Sequence, residues 1–271
     1  MDNYERVKAV GRGSYGVVHL YRCKSDGQQV VIKQITLDAI TPQEAKMSHT
    51  EVKVLLMLQH PFIIQYHNSF QHDNAMMIVM EYAAGGNLHA YLQSRLPNNL
   101  LQEQDALELL SQLVVGLQHI HSCNILHRDL KTHNILLDRT QRKLKIGDFG
   151  ISKILASKSK AHTVVGTPCY LSPELCQGKP YNQKSDIWAL GCVLYELLSL
   201  NRAFHAETLP ALILKITRGS FAPISGQYSA GMHALLQRLL HLDPAHRPST
   251  NQIMADPVTL SSVIRLHVNM D

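Results

Sequence analysis

At Gly85-Gly86 the spacing of apolar residues changes from that of strands to that of helices, so the chain must build two kinds of layer. Upstream, the runs VVHLYRC (17–23), QVVIKQI (29–35) and MMIVMEY (76–82) are rich in Val, Ile and Tyr and are bounded by the polar turns KSDGQ and QHDN. They predict an antiparallel meander. One helix interrupts it: a capping Thr41, Pro42 at the first helical position and Glu44 predict a helix running to about Leu58. Downstream, Ala106, Leu109, Leu110, Leu113, Leu117 and Ile120 line one face of a helix over 104–121. Further helices are predicted to start near Ser185, Thr208, Ser229 and Thr250. The expected class is α+β: a small β-rich part with one main helix over about 4–84, and a larger, mainly helical part over about 85–257. Residues 258–271 read as a C-terminal tail.

Composition excludes several functions. The 271 residues suffice for two parts, each with its own core, and 45% hydrophobic with 17% charged content does not suggest disorder. A net charge of +5 without a dense Lys/Arg stripe gives no reason to expect nucleic-acid binding. Five cysteines, an odd number with no C-x-x-C pair, argue against a disulfide framework or zinc site and for a reducing, intracellular setting. The opening MDNYERVKAV carries charges where a signal peptide would be apolar. The most apolar helical stretch, IWALGCVLYELLSL (187–200), has 14 residues and includes Glu196, too short to span a bilayer. A soluble protein without membrane insertion is expected.

Four motifs carry chemistry. GRGSYGVV (11–18) is a G-x-G-x-x-G. In a dinucleotide-binding fold its last Gly would open a helix, but here the glycines run into VVHLYRC, so the loop reads as a hairpin tip whose N–H groups close over phosphates. A plain glycine-rich turn stays open from this motif alone. In VVIK (30–33), a Lys33 facing inward needs a partner, which Glu51 in the predicted helix could supply; an ordinary surface Lys is the other reading. In HRDLKTHNILL (127–137), Asp129 can accept or orient a hydroxyl proton and Lys131 can offset charge on a transferred phosphoryl group. Asn134 offers an amide oxygen to Mg²⁺, and the ILL after it anchors the loop in a core. In GDFG (147–150), Asp148 supplies a second oxygen ligand and Phe149 packs inward to hold it.

These motifs, in this order, resemble the eukaryotic protein kinase family. The likeness continues through SPE (172–174), SDIWALG (185–191) and HRP (246–248), covers roughly residues 4–257, and implies the bilobal protein-kinase fold. In detail the chain is similar to the never-in-mitosis-A-related (Nek) Ser/Thr kinases. The run SKILASKSKAHTVVGTPCYLSPELCQGKPYNQKSDIWALGCVLYEL looks like the branch associated with cilia and centrosomes. Members of that branch usually carry a C-terminal β-propeller, and none fits after residue 257, so a kinase-domain fragment or short form is expected.

The resemblance implies roles residue by residue. Val10, Gly11, Arg12, Gly13, Ser14, Tyr15, Gly16, Val17 and Val18 would cover ATP, with Val31 above the base and Leu136 below it. Glu81, Tyr82 and Ala83 would form the hinge that bonds adenine, with Met80 as gatekeeper, and Lys33 would pair with Glu51. Asp129 and Lys131 would be catalytic, and Asn134 and Asp148 would hold Mg²⁺. Leu55, Tyr66, His127 and Phe149 would stack in the active arrangement, Glu174 would pair with Arg247, and Asp186 would hold the HRD turn from below. Thr163 aligns with the activating phosphosite, with Arg128 as its clamp, and Thr167 would belong to the substrate floor. His133 replaces the more usual Gln or Glu and is expected to point outward; Cys169 is expected to be a packed thiol.

Two other readings compete. A pseudokinase scaffold usually lacks the Lys, the base or the metal Asp, yet Lys33, Glu51, Asp129, Asn134 and Asp148 are all present. A small-molecule phosphotransferase would not need the SPE and SDIWALG segments, which shape a peptide shelf. The expected partners are protein substrates with Ser/Thr acceptors and an upstream activating kinase. The expected location is cytoplasmic, with cilium or centrosome implied by the resemblance alone.

Overall fold

Five strands form one antiparallel sheet in the first part of the chain: β1 (Tyr4–Gly13), β2 (Gly16–Cys23), β3 (Gln29–Thr36), β4 (Tyr66–His72) and β5 (Ala75–Glu81). The computed structural model describes residues 1–13, 16–36, 58–97, 99–148 and 168–268, without the side chains of residues 12, 13 and 16. These residues fall into two units that divide between Ala84 and Gly85.

The strand order is β1-β2-β3-β5-β4, which corrects the simple meander: β3 pairs with β5, and β4 is the edge strand. β5 therefore lies between two neighbours, and all but its last residue are buried, which is why it reads as an unbroken apolar run. β1 and β4 escape sequence reasoning for two reasons. Two register shifts, between Arg6 and Lys8 and between Ala9 and Gly11, break the alternation of β1. In β4, YHNSFQH, only Tyr66 and Ser69 are buried. The QHDN turn behaves as read: Asp73 and Asn74 both have positive φ (46° and 54°), and His72 pairs with Ala75, a two-residue hairpin that follows the sheet's twist. The pairing of β1 with β2 ends at Gly13 and Gly16, so the glycine run is a hairpin tip and not a helix start. One face of the sheet packs Tyr21, Val30, Ile32, Ala75, Met77 and Val79 together. The alternate positions put Val31 opposite Met80 and Lys33 opposite Ile78. The helix expected from Thr41 lies outside the described residues except for its last position, Leu58, which is buried.

The second unit begins with a close backbone approach. Gly85 N–H donates to Leu137 O at 2.9 Å, and Leu137 N–H returns to Gly86 O at 2.8 Å. A Cβ on Gly85 would stand 1.9 Å from the Asp138 carbonyl oxygen, and Gly86 has φ +80°. The two glycines are thus demanded by this contact and turn. Helices follow: α1 (Leu88–Gln93), α2 (Glu103–Ser122), α3 (Pro173–Cys176), α4 (Gln183–Ser199), α5 (Leu209–Arg218), α6 (Ala230–Leu239), α7 (Thr250–Met254) and α8 (Leu260–Val268). The last occupies the stretch read as a tail and buries Ser262 and Val263. Thr208 and Ser229 cap α5 and α6, while Asn182–Ser185 and Ser249–Gln252 close capping boxes on α4 and α7. A short ribbon of β6 (Ile135–Leu137) and β7 (Leu144–Ile146) completes the unit. All five cysteines are free. No helix among the described residues is long and apolar enough to cross a membrane.

Arg247 and Glu174 form a buried ion pair in this unit. Arg247 Nη1 and Nη2 donate to Glu174 Oε1 and Oε2, each at 2.8 Å, and Ser185 Oγ adds a third bond at 2.7 Å. The guanidinium also lies 5.0 Å from the centre of the Trp188 ring. Burial pushes the Glu174 carboxyl up, but the bonds from Arg247 and Ser185 outweigh it and hold the group down at about 2, from an ordinary 4.5. Its stabilisation is therefore complete above about pH 4.5 and is lost as the pH falls towards 2. Arg247→Met should cost about 3–5 kcal/mol in urea unfolding at pH 7, because it strands a buried carboxylate. The double variant Arg247→Met/Glu174→Gln should cost less than Arg247→Met alone. Additive losses would contradict the pair.

Candidate active site

Asp186, in the first turn of α4, is fully buried and organises the loop above it. Its Oδ2 accepts the backbone N–H of His127 at 3.0 Å and lies 2.8 Å from His121 Nε2; its Oδ1 accepts the backbone N–H of Arg128 at 3.1 Å and the Tyr181 hydroxyl. Burial raises the carboxyl's pKa, but the bond from His121 first, then the electrostatic pull of His127 and His121 and the bond from Tyr181, win and leave it lowered. Such a clamp can hold an unfavourable turn, and Arg128 indeed has φ +68°.

The turn aims two side chains. His127 is wholly buried: its Nδ1 accepts the Asp129 N–H at 3.3 Å, which leaves Nε2 to donate to Gly147 O at 3.1 Å. A ring used as both acceptor and donor is neutral, in line with a pKa lowered first by burial. That bond ties the loop to the residue before Asp148, which itself sits at φ +51°. On Asp129, Lys131 Nζ and Asn134 Nδ2 both donate to Oδ2 at 2.8 Å, and Asn134 Nδ2 also reaches Asp129 O at 2.8 Å. Two acceptors fix the identity of the Asn134 nitrogen, so its amide oxygen is turned away from them. An outward amide oxygen together with the Asp148 carboxylate suits a hard cation such as Mg²⁺, so the residues fit the expected metal.

A second buried group lies beneath the loop. Thr132 Oγ1 donates to Glu196 Oε2 at 3.1 Å, the Tyr170 hydroxyl donates to Oε1, and the two hydroxyl oxygens are 3.0 Å apart. Burial raises the Glu196 pKa, with these bonds only partly offsetting it. Sequence reading passed over Glu196 except as a break in an apolar run, yet a lone carboxylate in a buried helix is itself a signal that something must bond it. His133 corrects another expectation. It does not point outward but stacks on His89 with ring centroids 3.9 Å apart. Burial first, then His89, Lys131 and Arg202, push its pKa down to about 4, so it is neutral at pH 7.

Of the residues expected to bind a nucleotide, some belong to the first unit and Leu136 to the second. In the first, Lys33 is only 6% exposed on β3, Val31 and Met80 are buried, Tyr82 and Ala83 are half-buried, and Val10 is exposed. Glu81 N–H donates to Gln65 O at 2.8 Å, so its amide is already engaged. Val17 and Val18 are half-buried on β2; Gly11, Arg12, Gly13 and Gly16 are described through their backbone pairing. In the second unit Leu136 is half-buried on β6 and bridges to Asn87. Ser14, Tyr15, Glu51, Leu55, Phe149, Thr163 and Thr167 lie outside the described residues. Cys169 is buried, as expected of a packed thiol.

The hydroxyl pair on Glu196 makes a structural prediction. Glu196→Ala should cost about 2–3 kcal/mol in urea unfolding, since two buried hydroxyls lose their acceptor. Glu196→Gln, whose amide can accept from one hydroxyl and donate to the other, should stay within about 1 kcal/mol of wild type. Equal losses would show that charge, not hydrogen bonding, matters there.

Comparison with known proteins agrees with this geometry. The family model described as the protein kinase domain matches residues 4–259. Serine/threonine-protein kinase Nek8 of Danio rerio is 55% identical over 270 residues, covering 100% of this chain and 39% of its own length. Serine/threonine-protein kinase nekl-2 of Caenorhabditis elegans is 46% identical over 278 residues, covering 100% of this chain and 78% of its own length. Serine/threonine-protein kinase Nek5 of Homo sapiens is 44% identical over 258 residues, 95% of this chain and 36% of its own length. The chain thus spans well under half of two of these relatives. It belongs to the protein kinase domain family and is most similar, among these relatives, to Nek Ser/Thr kinases.

Proposed function

We propose that the chain is a Ser/Thr protein kinase that transfers the γ-phosphoryl group of ATP to Ser/Thr hydroxyls of proteins. The observation that carries this reading is the convergence of Lys131 and Asn134 on one oxygen of Asp129, on a loop clamped by Asp186. Asp129 receives or orients the acceptor hydroxyl proton. Lys131, already beside it, offsets negative charge on the group in transfer. Mg²⁺, when bound, neutralises phosphate charge and fixes the phosphate oxygens. Asn134 and Asp148 are its ligands in this reading. Lys33 pairs with Glu51 and holds the phosphates, while Val10 to Val18, Val31 and Leu136 enclose the nucleotide. Met80, Glu81, Tyr82 and Ala83 border the base.

In the same reading, phosphorylation of Thr163, by the chain itself or by an upstream kinase, gives Arg128 an anion to clamp and orders the substrate floor that includes Thr167. The Danio rerio relative is named a serine/threonine-protein kinase, which supports the hydroxyl acceptor class. Its family link suggests a cytoplasmic role at the cilium or centrosome. Domain limits of 4–257, divided near residue 85, go with this proposal.

The test is phosphoryl transfer from Mg²⁺-ATP to a generic protein by the purified chain, beside Asp148→Ala, with phosphate on the enzyme mapped by mass spectrometry. Wild type should label the substrate and Thr163, and Asp148→Ala should lose at least about 10²-fold in rate. If neither protein labels anything after Thr163 has been phosphorylated by another kinase, the site is idle and the chain is a scaffold.

A further inference from the structure

Next to Asp129, the described residues gather nitrogen-bearing side chains and leave no carboxylate uncommitted. His133, on the same loop, lies 18° from parallel with His89 of α1. The Nδ1 of each ring is closed to solvent and has no hydrogen-bond partner. Arg202, just after α4, acts electrostatically on both rings, and Lys131 acts on His133. Arg202 is half-buried, and its one hydrogen bond among the described residues runs from Nη1 to the Cys169 sulfur at 3.8 Å. Sulfur is a weak acceptor, so most of a five-donor fork remains unmatched. The nearby carboxylates are already taken. Asp129 holds Lys131 and Asn134, while Glu196 feels Arg202 but turns both oxygens to Thr132 and Tyr170 and is only 5% exposed. A cationic residue arriving here would find no free anion; an anionic one would find a guanidinium.

We propose that Arg202, bonded to Cys169 beside the catalytic loop, forms a subsite for an anionic side chain of the acceptor segment, a carboxylate or a phosphorylated residue. This deepens, and rests on, the protein-kinase reading of the same loop. The guanidinium fork suits the two or three oxygens of such a group, and the half-buried setting strengthens each bond.

The experiment uses a neutral acceptor peptide into which Glu, phosphoserine, Leu or Arg is placed at each position on either side of the hydroxyl. Values of kcat/KM are compared for wild type, Arg202→Leu and Arg202→Lys. At one position or two neighbouring ones, wild type should favour Glu or phosphoserine over Leu by about 10-fold and disfavour Arg. The ratio of Glu to phosphoserine tells a carboxylate site from a phosphate site. Arg202→Leu should erase that preference, and Arg202→Lys should keep part of it. Fluorescence anisotropy of the same peptides, which needs no turnover, should show the same anionic preference and its loss in Arg202→Leu. No anionic preference in binding, or one that survives Arg202→Leu, overturns the subsite. Selective binding without transfer of phosphate to any peptide would instead sink the kinase reading and leave the subsite standing.

Discussion

A single buried carboxylate sets the geometry on which the catalytic loop depends. Asp186 spends both oxygens on four donors, two of them consecutive backbone amides of the HRD turn. Backbone amides have no freedom to seek other partners once buried, so the turn is held wherever α4 puts the carboxylate. α4 in turn is fixed by its capping box and by a helix that is buried along most of its length. The left-handed Arg128, the neutral His127 and the paired Lys131 and Asn134 all follow from that anchor. The rigidity serves the chemistry, because a displacement of about 1 Å in a reacting group can cost about 10²-fold in rate.

Among the described residues of the second unit, Glu174, Asp186 and Glu196 show three ways of holding a buried carboxylate, and the differences are informative. Glu174 is matched by a bidentate guanidinium and held ionised. Asp186 is satisfied by His121, Tyr181 and two backbone amides and is also lowered, although burial pushes it up. Glu196 has only two hydroxyls bonded to it, and burial wins, so its pKa rises. The first two lose stabilising power in acid. Glu196 has the opposite sign: its contribution is present below its unfolded pKa and lost as the pH rises through the folded value.

Much of the fold was legible because its strands and helices announce themselves. β2, β3 and β5 carry β-branched residues between polar turns, and α2 keeps a clean helical face from Glu103 to Ser122. The Asp129, Lys131 and Asn134 cluster was legible because local spacing along one loop fixes it. The edge strand β4 and the bulged β1 were not, since pairing rather than pattern makes them strands. The Thr132–Tyr170–Glu196 contact and the His89–His133 stack join residues far apart in sequence, and no local spacing encodes them. Gly85-Gly86 was legible as the place where the apolar pattern changes, but the close approach of a backbone carbonyl that excludes a side chain at Gly85 was not.

The most direct test of this account replaces the anchor while keeping its shape. Asp186→Asn offers one oxygen and one amide where the turn presents a backbone N–H on each side, so one of the two backbone amides must lose its acceptor. With the protein shown to be folded by circular dichroism, kcat for phosphoryl transfer should fall by about 10²-fold while the KM for ATP changes little. A folded Asp186→Asn with wild-type kcat would mean that the loop keeps its geometry without the carboxylate, and the central claim would be wrong.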